Sequence, residues 1–161
     1  MKTCLIAFLI IASGCVRVQV TAEAEPETDF ARYSSYAQSP PPDAPLVVDS
    51  IQREIDNVMQ KKGYRASGVD EADLVLVFST NRKSQQRRQL SSDPGSNYYQ
   101  VKTYVEGTLV IEAFDRQAKQ VIWRGAGRVD IDRDSEAPYI AAAATRKVLA
   151  DFPTSHQGTE P

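Results

Sequence analysis

Histidine and cysteine are nearly absent from this chain of 161 residues, which contains one His and two Cys. Most structural and catalytic metal sites use imidazole or thiolate ligands, and many nucleophilic enzymes need a histidine base or a cysteine. The single histidine, His156, lies in a polar C-terminal stretch and is a poor candidate for a catalytic base. We therefore expect no metal site, no cofactor and no enzymatic activity.

An excess of basic residues is also missing. The 19 Lys and Arg residues oppose 21 Asp and Glu residues, which gives a formal net charge of −2. Nucleic-acid binders carry a basic excess, so we expect no nucleic-acid partner. With 42% hydrophobic residues, 25% charged residues, 8 Gly and 9 Pro, the chain has an ordinary globular composition. Its length suits one domain with a sizeable core.

The N-terminal segment has the features of a bacterial targeting signal. Lys2 supplies a positive charge, residues 5–11 are apolar, and the small residues 12–14 precede Cys15. The apolar run is too short to span a bilayer. Small residues directly before a cysteine resemble a lipobox, where the signal is cut off and the cysteine is lipidated. The alternative is an ordinary secretory signal in which Cys15 stands by chance.

A lipobox predicts a signal peptide at residues 1–14, a single α+β lipoprotein domain at 15–153 and a disordered tail at 154–161. Cleavage removes Cys4 and lipidation consumes the thiol of Cys15, so no disulfide is expected. Several acyl chains on one cysteine anchor a protein stably. Val16 follows the cysteine, which by resemblance to enterobacterial sorting rules predicts an outer-membrane protein facing the periplasm.

Hydrophobic periodicity predicts two amphipathic helices. The first runs from about Leu46 to Lys62, with an apolar residue on one face at every turn. The second begins near Ser135, which we expect to be its N-cap, has Pro138 in its first turn, and runs to about Phe152.

Strands account for most of the remaining pattern. Residues 16–20 and 99–113 alternate between apolar and polar side chains, and residues 74–78 are apolar throughout. A further strand carries Val121 and Trp123 on one face and pairs with the strand before it as a hairpin. The order of elements predicts an α+β two-layer sandwich, in which a mixed, mostly antiparallel sheet has two helices packed on one face.

Short motifs occur along the chain in a fixed order. They are D-F-x-x-Y-x-x-Y-A at residues 29–37, K-G-Y at 62–64, A-D-L at 72–74, Y-x-E-G-T-L-V-I at 104–111, W-R-G at 123–125 and F-P at 152–153. Together with the lipobox they resemble the bacterial lipoprotein family known as domain of unknown function 4136. The resemblance implies an envelope lipoprotein of uncharacterised role and supplies no catalytic residues.

Several motifs have both a structural and a functional interpretation. Trp123 and Gly107 could line a ligand groove, but the sequence pattern favours a core aromatic residue and a bulge or bend in a strand. Residues 125–127 contain half of a dinucleotide-binding fingerprint, yet no helix follows them to hold a phosphate.

Alternating acids at residues 130–136 resemble the start of a calcium loop. Ser135 and Ala141 stand where such a loop needs Gly and Glu, so we favour a solvated strand end followed by the acidic start of a helix.

A basic segment at residues 81–97 is the strongest candidate for a binding site. Its four cations, Arg82, Lys83, Arg87 and Arg88, precede any acidic residue in the segment. We interpret it as a long loop, either a solvated connection or an arm that contacts anions such as lipid head groups or an acidic envelope protein.

The sequence thus predicts a membrane-anchored envelope lipoprotein without catalytic activity, which binds a ligand or supports the envelope. The alternative is a hydrolase-like or metal-dependent accessory enzyme, which would need a pocket lined by two carboxylates.

Overall fold

The protein is described by a computed structural model that covers residues 16–41, 47–91, 95, 98–131 and 133–155. The described strands and helices, in chain order, are β1 (Gln19–Ala24), β2 (Ser35–Ser39), α1 (Val48–Lys61), β3 (Arg65–Ala66), β4 (Leu74–Leu90), β5 (Tyr99–Asp115), β6 (Gln120–Ile131) and α2 (Ala137–Val148). The predicted signal peptide, Cys15 and His156 lie outside the described residues.

The described strands form one six-stranded sheet in the order β1-β6-β5-β4-β2-β3. Strands β1, β6, β5 and β4 pair antiparallel, whereas β2 is parallel to both β4 and β3. Alternate residues of β4 and β5, such as Leu76, Phe78 and Ile111, are buried in one cluster with Ile55 of α1 and Val148 of α2. This architecture confirms the predicted α+β sandwich with a mixed sheet and two helices.

The ends of both helices differ slightly from the prediction. The first begins at Val48 and the second at Ala137. Ser135 is not the N-cap of α2, because it lies in a single 3₁₀ turn, Asp134–Glu136, that leads into the helix. Pro138 lies in the first turn of α2, as predicted. N–H groups in the first turn of a helix have no acceptor within the helix, so a proline at this position costs no hydrogen bond.

Strand β4 is much longer than the predicted strand at residues 74–78. It continues to Leu90 and pairs with β5 along its whole length, from Leu74 opposite Asp115 to Leu90 opposite Tyr99. The prediction of a loop at residues 81–97 is therefore wrong for residues 81–90, which are strand.

The bulge lies elsewhere than predicted. Gly107 pairs regularly between Arg82 and Val129, and the register between β5 and β6 shifts at Ala113 and Phe114 instead. A Cβ at Gly107 would come within 2.9 Å of Cδ1 of Ile131, so the glycine makes room for a neighbouring side chain.

The shift in register changes which residues of β6 face the core. Ile122 is buried beside Trp123, and Val121 is 37% exposed although its spacing placed it on the apolar face.

Trp123 is a core residue, as predicted, and is 2% exposed. Its ring packs edge-on against Phe152, with the ring centroids 4.9 Å apart. A Cβ at Gly125 would collide with the Trp123 ring and with Val148, and a Cβ at Gly127 would lie 2.8 Å from Cγ2 of Val148. These glycines therefore allow close packing of α2 on β6.

The domain extends to Ser155, beyond the end predicted at residue 153. The backbone N–H of Ser155 donates to the Lys62 carbonyl at 2.8 Å, and its hydroxyl donates to the Tyr33 carbonyl at 3.0 Å. Every buried residue of the described chain lies between Phe30 and Ser155. The chain from Val16 onward thus contains the complete described core.

Replacing Trp123 with Ala should destabilise the domain by about 3–5 kcal/mol, because it removes a buried aromatic ring and leaves a cavity. Urea unfolding of the chain from Val16 to Pro161 measures the loss. Val121→Ala, two positions away on the same strand, is the control and should cost much less. A Trp123→Ala variant as stable as the parent would contradict the core assignment.

Candidate functional site

The paired ends of β4 and β5 project from the sheet as a two-stranded arm. β2 accompanies β4 only to Val77, and β6 pairs with β5 only from Val105 onward. Beyond that point six residue pairs follow, from Gln85 opposite Tyr104 to Leu90 opposite Tyr99. We call residues 85–90 and 99–104 the arm. At about 3.3 Å per strand residue, it extends roughly 20 Å from the sheet.

Of the four predicted basic residues, Arg87 and Arg88 lie on the arm, whereas Arg82 and Lys83 lie on β4 just before its base, and the four are divided between the two faces of the strand. Successive side chains of a strand point to opposite faces. Arg82 and Arg88 therefore share the face that the helices cover farther along β4, and Lys83 and Arg87 lie on the other. The structure brings the four residues to one region but does not gather them into one patch.

Two of the four cations pair with carboxylates. Arg82 pairs with Asp134. Arg87 lies 3.3 Å from a carboxylate oxygen of Asp130, and its guanidinium stacks 4.7 Å from the centroid of the Tyr104 ring. Among the described residues, Lys83 and Arg88 have no carboxylate within ion-pair distance, so their charges are available to a partner.

The far end of the arm exposes apolar side chains. Leu90, Tyr98, Tyr99 and Val101 are between 55% and 71% exposed. Grouped apolar exposure of this kind marks interaction surfaces more often than single exposed residues do.

The chain enters the domain at the end from which the arm projects. Strand β1 is antiparallel to β6 with Gln19 opposite Arg128, so the residues before Gln19 lie beside the end of β6. Val16 packs against the small cluster of Val129, Ile131 and Ile140. The Lys147 ammonium group donates a hydrogen bond of 2.6 Å to the Val16 carbonyl.

A charged cleft adjoins this entry point. It has a volume of about 530 Å³ and is lined by Val16 and by six charged residues, Arg17, Arg87, Arg128, Glu106, Asp130 and Glu136. We call it the polar cleft. Arg17 and Arg128 had not been singled out from the sequence, since they are isolated cations in otherwise ordinary strand patterns.

A second cavity lies between the helices and the sheet. It has a volume of about 510 Å³, and its walls include Ile51 of α1, Leu109 of β5, Ile131 of β6 and Ala141 of α2. We call it the apolar groove. Val129, Ser135 and Ile140 line both cavities, so the groove and the polar cleft are neighbours.

Two carboxylates meet at the opposite end of the sheet, in a small cleft of about 220 Å³. Asp115 accepts hydrogen bonds from the Tyr33 hydroxyl at 2.9 Å, from the backbone N–H groups of Gln117 and Ala118 at 2.8 and 2.9 Å, and from Arg32. One oxygen of Asp73 accepts four hydrogen bonds of 2.8–3.0 Å from backbone N–H groups and hydroxyls of neighbouring serines, Ser34 and Ser35.

These hydrogen bonds determine the ionisation of both acids. Burial by itself raises the pKa of Asp115, but the bonds from Ala118, Tyr33, Gln117 and Arg32 outweigh it and leave the pKa below its ordinary value. Burial likewise raises the pKa of Asp73, and the donors of Ser34 and Ser35 lower it further than burial raises it. Both groups are held as carboxylates that join loops, which is a structural role.

The candidate calcium loop is not assembled in the described part of the chain. Asp130 and Asp134 pair with Arg87 and Arg82, and Asp132 lies outside the described residues. Among the residues described, no three His, Cys, Asp or Glu side chains lie close enough together to hold a metal ion. No described helix is long and apolar enough to cross a membrane.

Comparison with known proteins identifies the fold. The model of a family described as "Domain of unknown function (DUF4136)" matches residues 20–154. No curated protein matches the chain.

Among solved structures the chain is similar to a PelC variant dodecamer from Paraburkholderia phytofirmans, at 15% identity and a TM-score of 0.55, over 88% of this chain and 100% of that one. A second PelC dodecamer from the same organism gives 15% identity and a TM-score of 0.53, over 83% and 96% of the two chains. A PDZ domain protein from Parabacteroides distasonis gives 12% and 0.58, over 89% of this chain and 38% of that one. At these identities the similarity concerns the fold.

Asp115→Asn should lower the free energy of unfolding at pH 7 by about 1–3 kcal/mol, since it replaces a carboxylate held by several buried hydrogen bonds. The lowered pKa in the folded state means that the carboxylate stabilises the fold above its unfolded pKa, near 3.9. That contribution is lost as the pH falls through the lower folded value.

Urea unfolding between pH 7 and pH 3 tests both points. The gap between the parent and Asp115→Asn should be full at pH 7 and narrow below about pH 4. Asp70→Asn, at an exposed acid, is the matched control and should leave stability unchanged. A gap that stays constant with pH would contradict the ionised assignment.

Proposed function

We propose that this chain, which belongs to the family described as a domain of unknown function, DUF4136, is a lipid-anchored outer-membrane protein that binds and does not catalyse. The lipid is attached to Cys15, and the domain faces the periplasm. The arm contacts anionic lipid head groups. The observation that supports this most is that the chain enters the domain beside the base of the arm.

The anchor site leaves almost no tether. Cys15 immediately precedes Val16, and consecutive Cα atoms are about 3.8 Å apart. Val16 is itself fixed to the domain by the hydrogen bond from Lys147 and by packing on Val129 and Ile140. A lipid on Cys15 therefore holds this end of the sheet against the bilayer, and the arm projects from the same end.

The chemistry of the arm suits a membrane surface. Arg88 on the arm and Lys83 at its base can approach anionic phosphates, and each basic residue near such a surface contributes about 1 kcal/mol within a Debye length. Its exposed tyrosines, Tyr98 and Tyr99, combine an apolar ring with a polar hydroxyl, as residues at membrane interfaces do. Leu90 and Val101 add apolar surface beside them.

The ionised state of the two carboxylates in the small cleft supports a binding function rather than the hydrolase-like alternative. A general acid must carry a proton near neutral pH, whereas Asp73 and Asp115 have lowered pKa values. Both oxygens of Asp115 and one oxygen of Asp73 also accept hydrogen bonds from the protein. We therefore assign this cleft no catalytic role.

Cys15→Ala should abolish lipidation and leave an uncut precursor or a form released from the membrane. Mass spectrometry of the purified chain and membrane fractionation measure both effects. Cys4→Ala is the control, because Cys4 lies within the predicted signal peptide, and it should stay lipidated. An unmodified Cys15 thiol in the parent protein would refute the proposed anchor.

The arm is tested with the chain from Val16 to Pro161, which lacks the anchor, titrated onto vesicles with anionic or neutral head groups. Changing Lys83 and Arg88 to Ser removes two cations without breaking an ion pair, and should weaken binding to anionic vesicles by about 2 kcal/mol, roughly thirtyfold. Changing all four of Arg82, Lys83, Arg87 and Arg88 to Ser should weaken it further.

The matched control changes Lys61 and Arg65 to Ser. These two exposed cations lie at the end of α1 and in β3, at the far end of the domain from the arm. This variant should bind like the parent, and binding by the parent should fall as salt rises. Equal binding by all the variants, or no binding to anionic vesicles at low salt, would reject the head-group contact.

A further inference from the structure

We infer that the apolar groove and the polar cleft together form a binding site for an anionic amphiphile with a single acyl chain. The acyl chain of the ligand lies in the groove, and its anionic head group lies in the cleft. The volume of the groove, about 510 Å³, is in the range of small-molecule sites. Its walls are mainly aliphatic, with Ile51, Leu109, Ile131 and Ile140 contributed by both helices and two strands.

The two cavities adjoin each other, and one ligand can occupy both across their common rim, where Ser135 is exposed. Val129, Ser135 and Ile140 line both. Val129 and Ile140 provide an apolar boundary, and Ser135 places a hydroxyl where the environment changes from apolar to charged. A ligand that spans this boundary must itself be apolar at one end and polar at the other, which describes an amphiphile.

The charges of the polar cleft determine the sign of the head group. Asp130 is paired with Arg87, and Glu136 is paired with Arg133. Of the other charged residues that line the cleft, Arg17 and Arg128 are two cations against the single carboxylate of Glu106. Both arginines are exposed, and in the described chain neither forms an ion pair with a carboxylate. The cleft therefore favours an anionic head group over a cationic one.

The site lies at the end of the domain where a lipid ligand is available. The polar cleft borders Val16, so it lies at the end of the domain that faces the bilayer if the proposed function is right. A fatty acid or another single-chain anionic lipid is available at that surface. Only this source rests on the proposed function, because the residues that line the site lie between Val16 and Ala144 and the site needs no anchor.

Palmitate is the first probe, titrated into the chain from Val16 to Pro161 with binding measured by calorimetry. Ala141→Phe places a ring in the groove and should weaken palmitate binding at least tenfold, about 1.4 kcal/mol. Ala142→Phe is the matched control, since the same substitution one position along α2 lies outside the lining of both cavities. Undiminished binding by Ala141→Phe, or no saturable binding of palmitate by the parent, would overturn the assignment of the groove.

The head group is tested with a variant that should fold normally, because its changes are at exposed positions. Arg17→Gln combined with Arg128→Gln should weaken palmitate binding about tenfold and leave binding of hexadecanol, which has a neutral head, unchanged. Arg124→Gln, on the same strand as Arg128 but paired with Glu112, is the control. Hexadecylamine that binds as tightly as palmitate would overturn the assignment of the cleft.

These measurements are independent of the anchor. The protein used lacks Cys15, so the absence of lipidation in the cell would refute the proposed function and leave palmitate binding intact. Conversely, a lipidated protein that binds vesicles through its arm but takes up no palmitate would refute this site alone.

Discussion

The close approach of α2 to β6 is the constraint on which the rest of the structure depends. Val148 lies so near the backbone of Gly125 and Gly127 that a Cβ at either position would overlap it, and the Trp123 ring fills the adjoining space. The same contact sets the position of the rest of the helix. Ile140 and Ala141 become walls of the apolar groove, and Lys147 reaches the carbonyl of Val16. The same packing contact therefore contributes both to stability and to the geometry of the candidate site.

Periodicity predicted the elements that bury one face, but it missed the strand at residues 81–90. The helices, the hairpin and the core position of Trp123 follow from apolar residues repeated at helical or strand spacing. Residues 85–90 have water on both faces of the arm and residues 81–84 are exposed, so neither stretch has an apolar repeat and both were predicted as loop. The prediction of a bulge at Gly107 was also wrong, because the register shift lies at Ala113 and Phe114. An offset of one residue between β5 and β6 depends on how two strands align, which neither strand's own pattern contains.

The candidate site was predictable only in part. The sequence identified four clustered cations, but adjacent residues of a strand face opposite ways, so recognising β4 as strand would have divided them. The cavities could not be predicted, because their walls come from distant parts of the chain. Val16 and Lys147, for example, are 131 positions apart and hydrogen-bonded. Likewise, residues 125–127 resemble a fragment of a phosphate-binding motif in the sequence, and only the structure shows that Val148 packs against Gly125 and Gly127.

The two ends of the sheet differ in how completely their polar groups are used. At one end Asp73 and Asp115 are surrounded by donors from the chain itself, so those carboxylates have little capacity left for a ligand. At the other end Lys83, Arg88, Arg17 and Arg128 are exposed, and apolar residues of the arm face the solvent. The proposed binding function uses this exposed surface. Since the chain begins its path through the domain at this end, an anchor at Cys15 would place all of that surface where lipid is most concentrated.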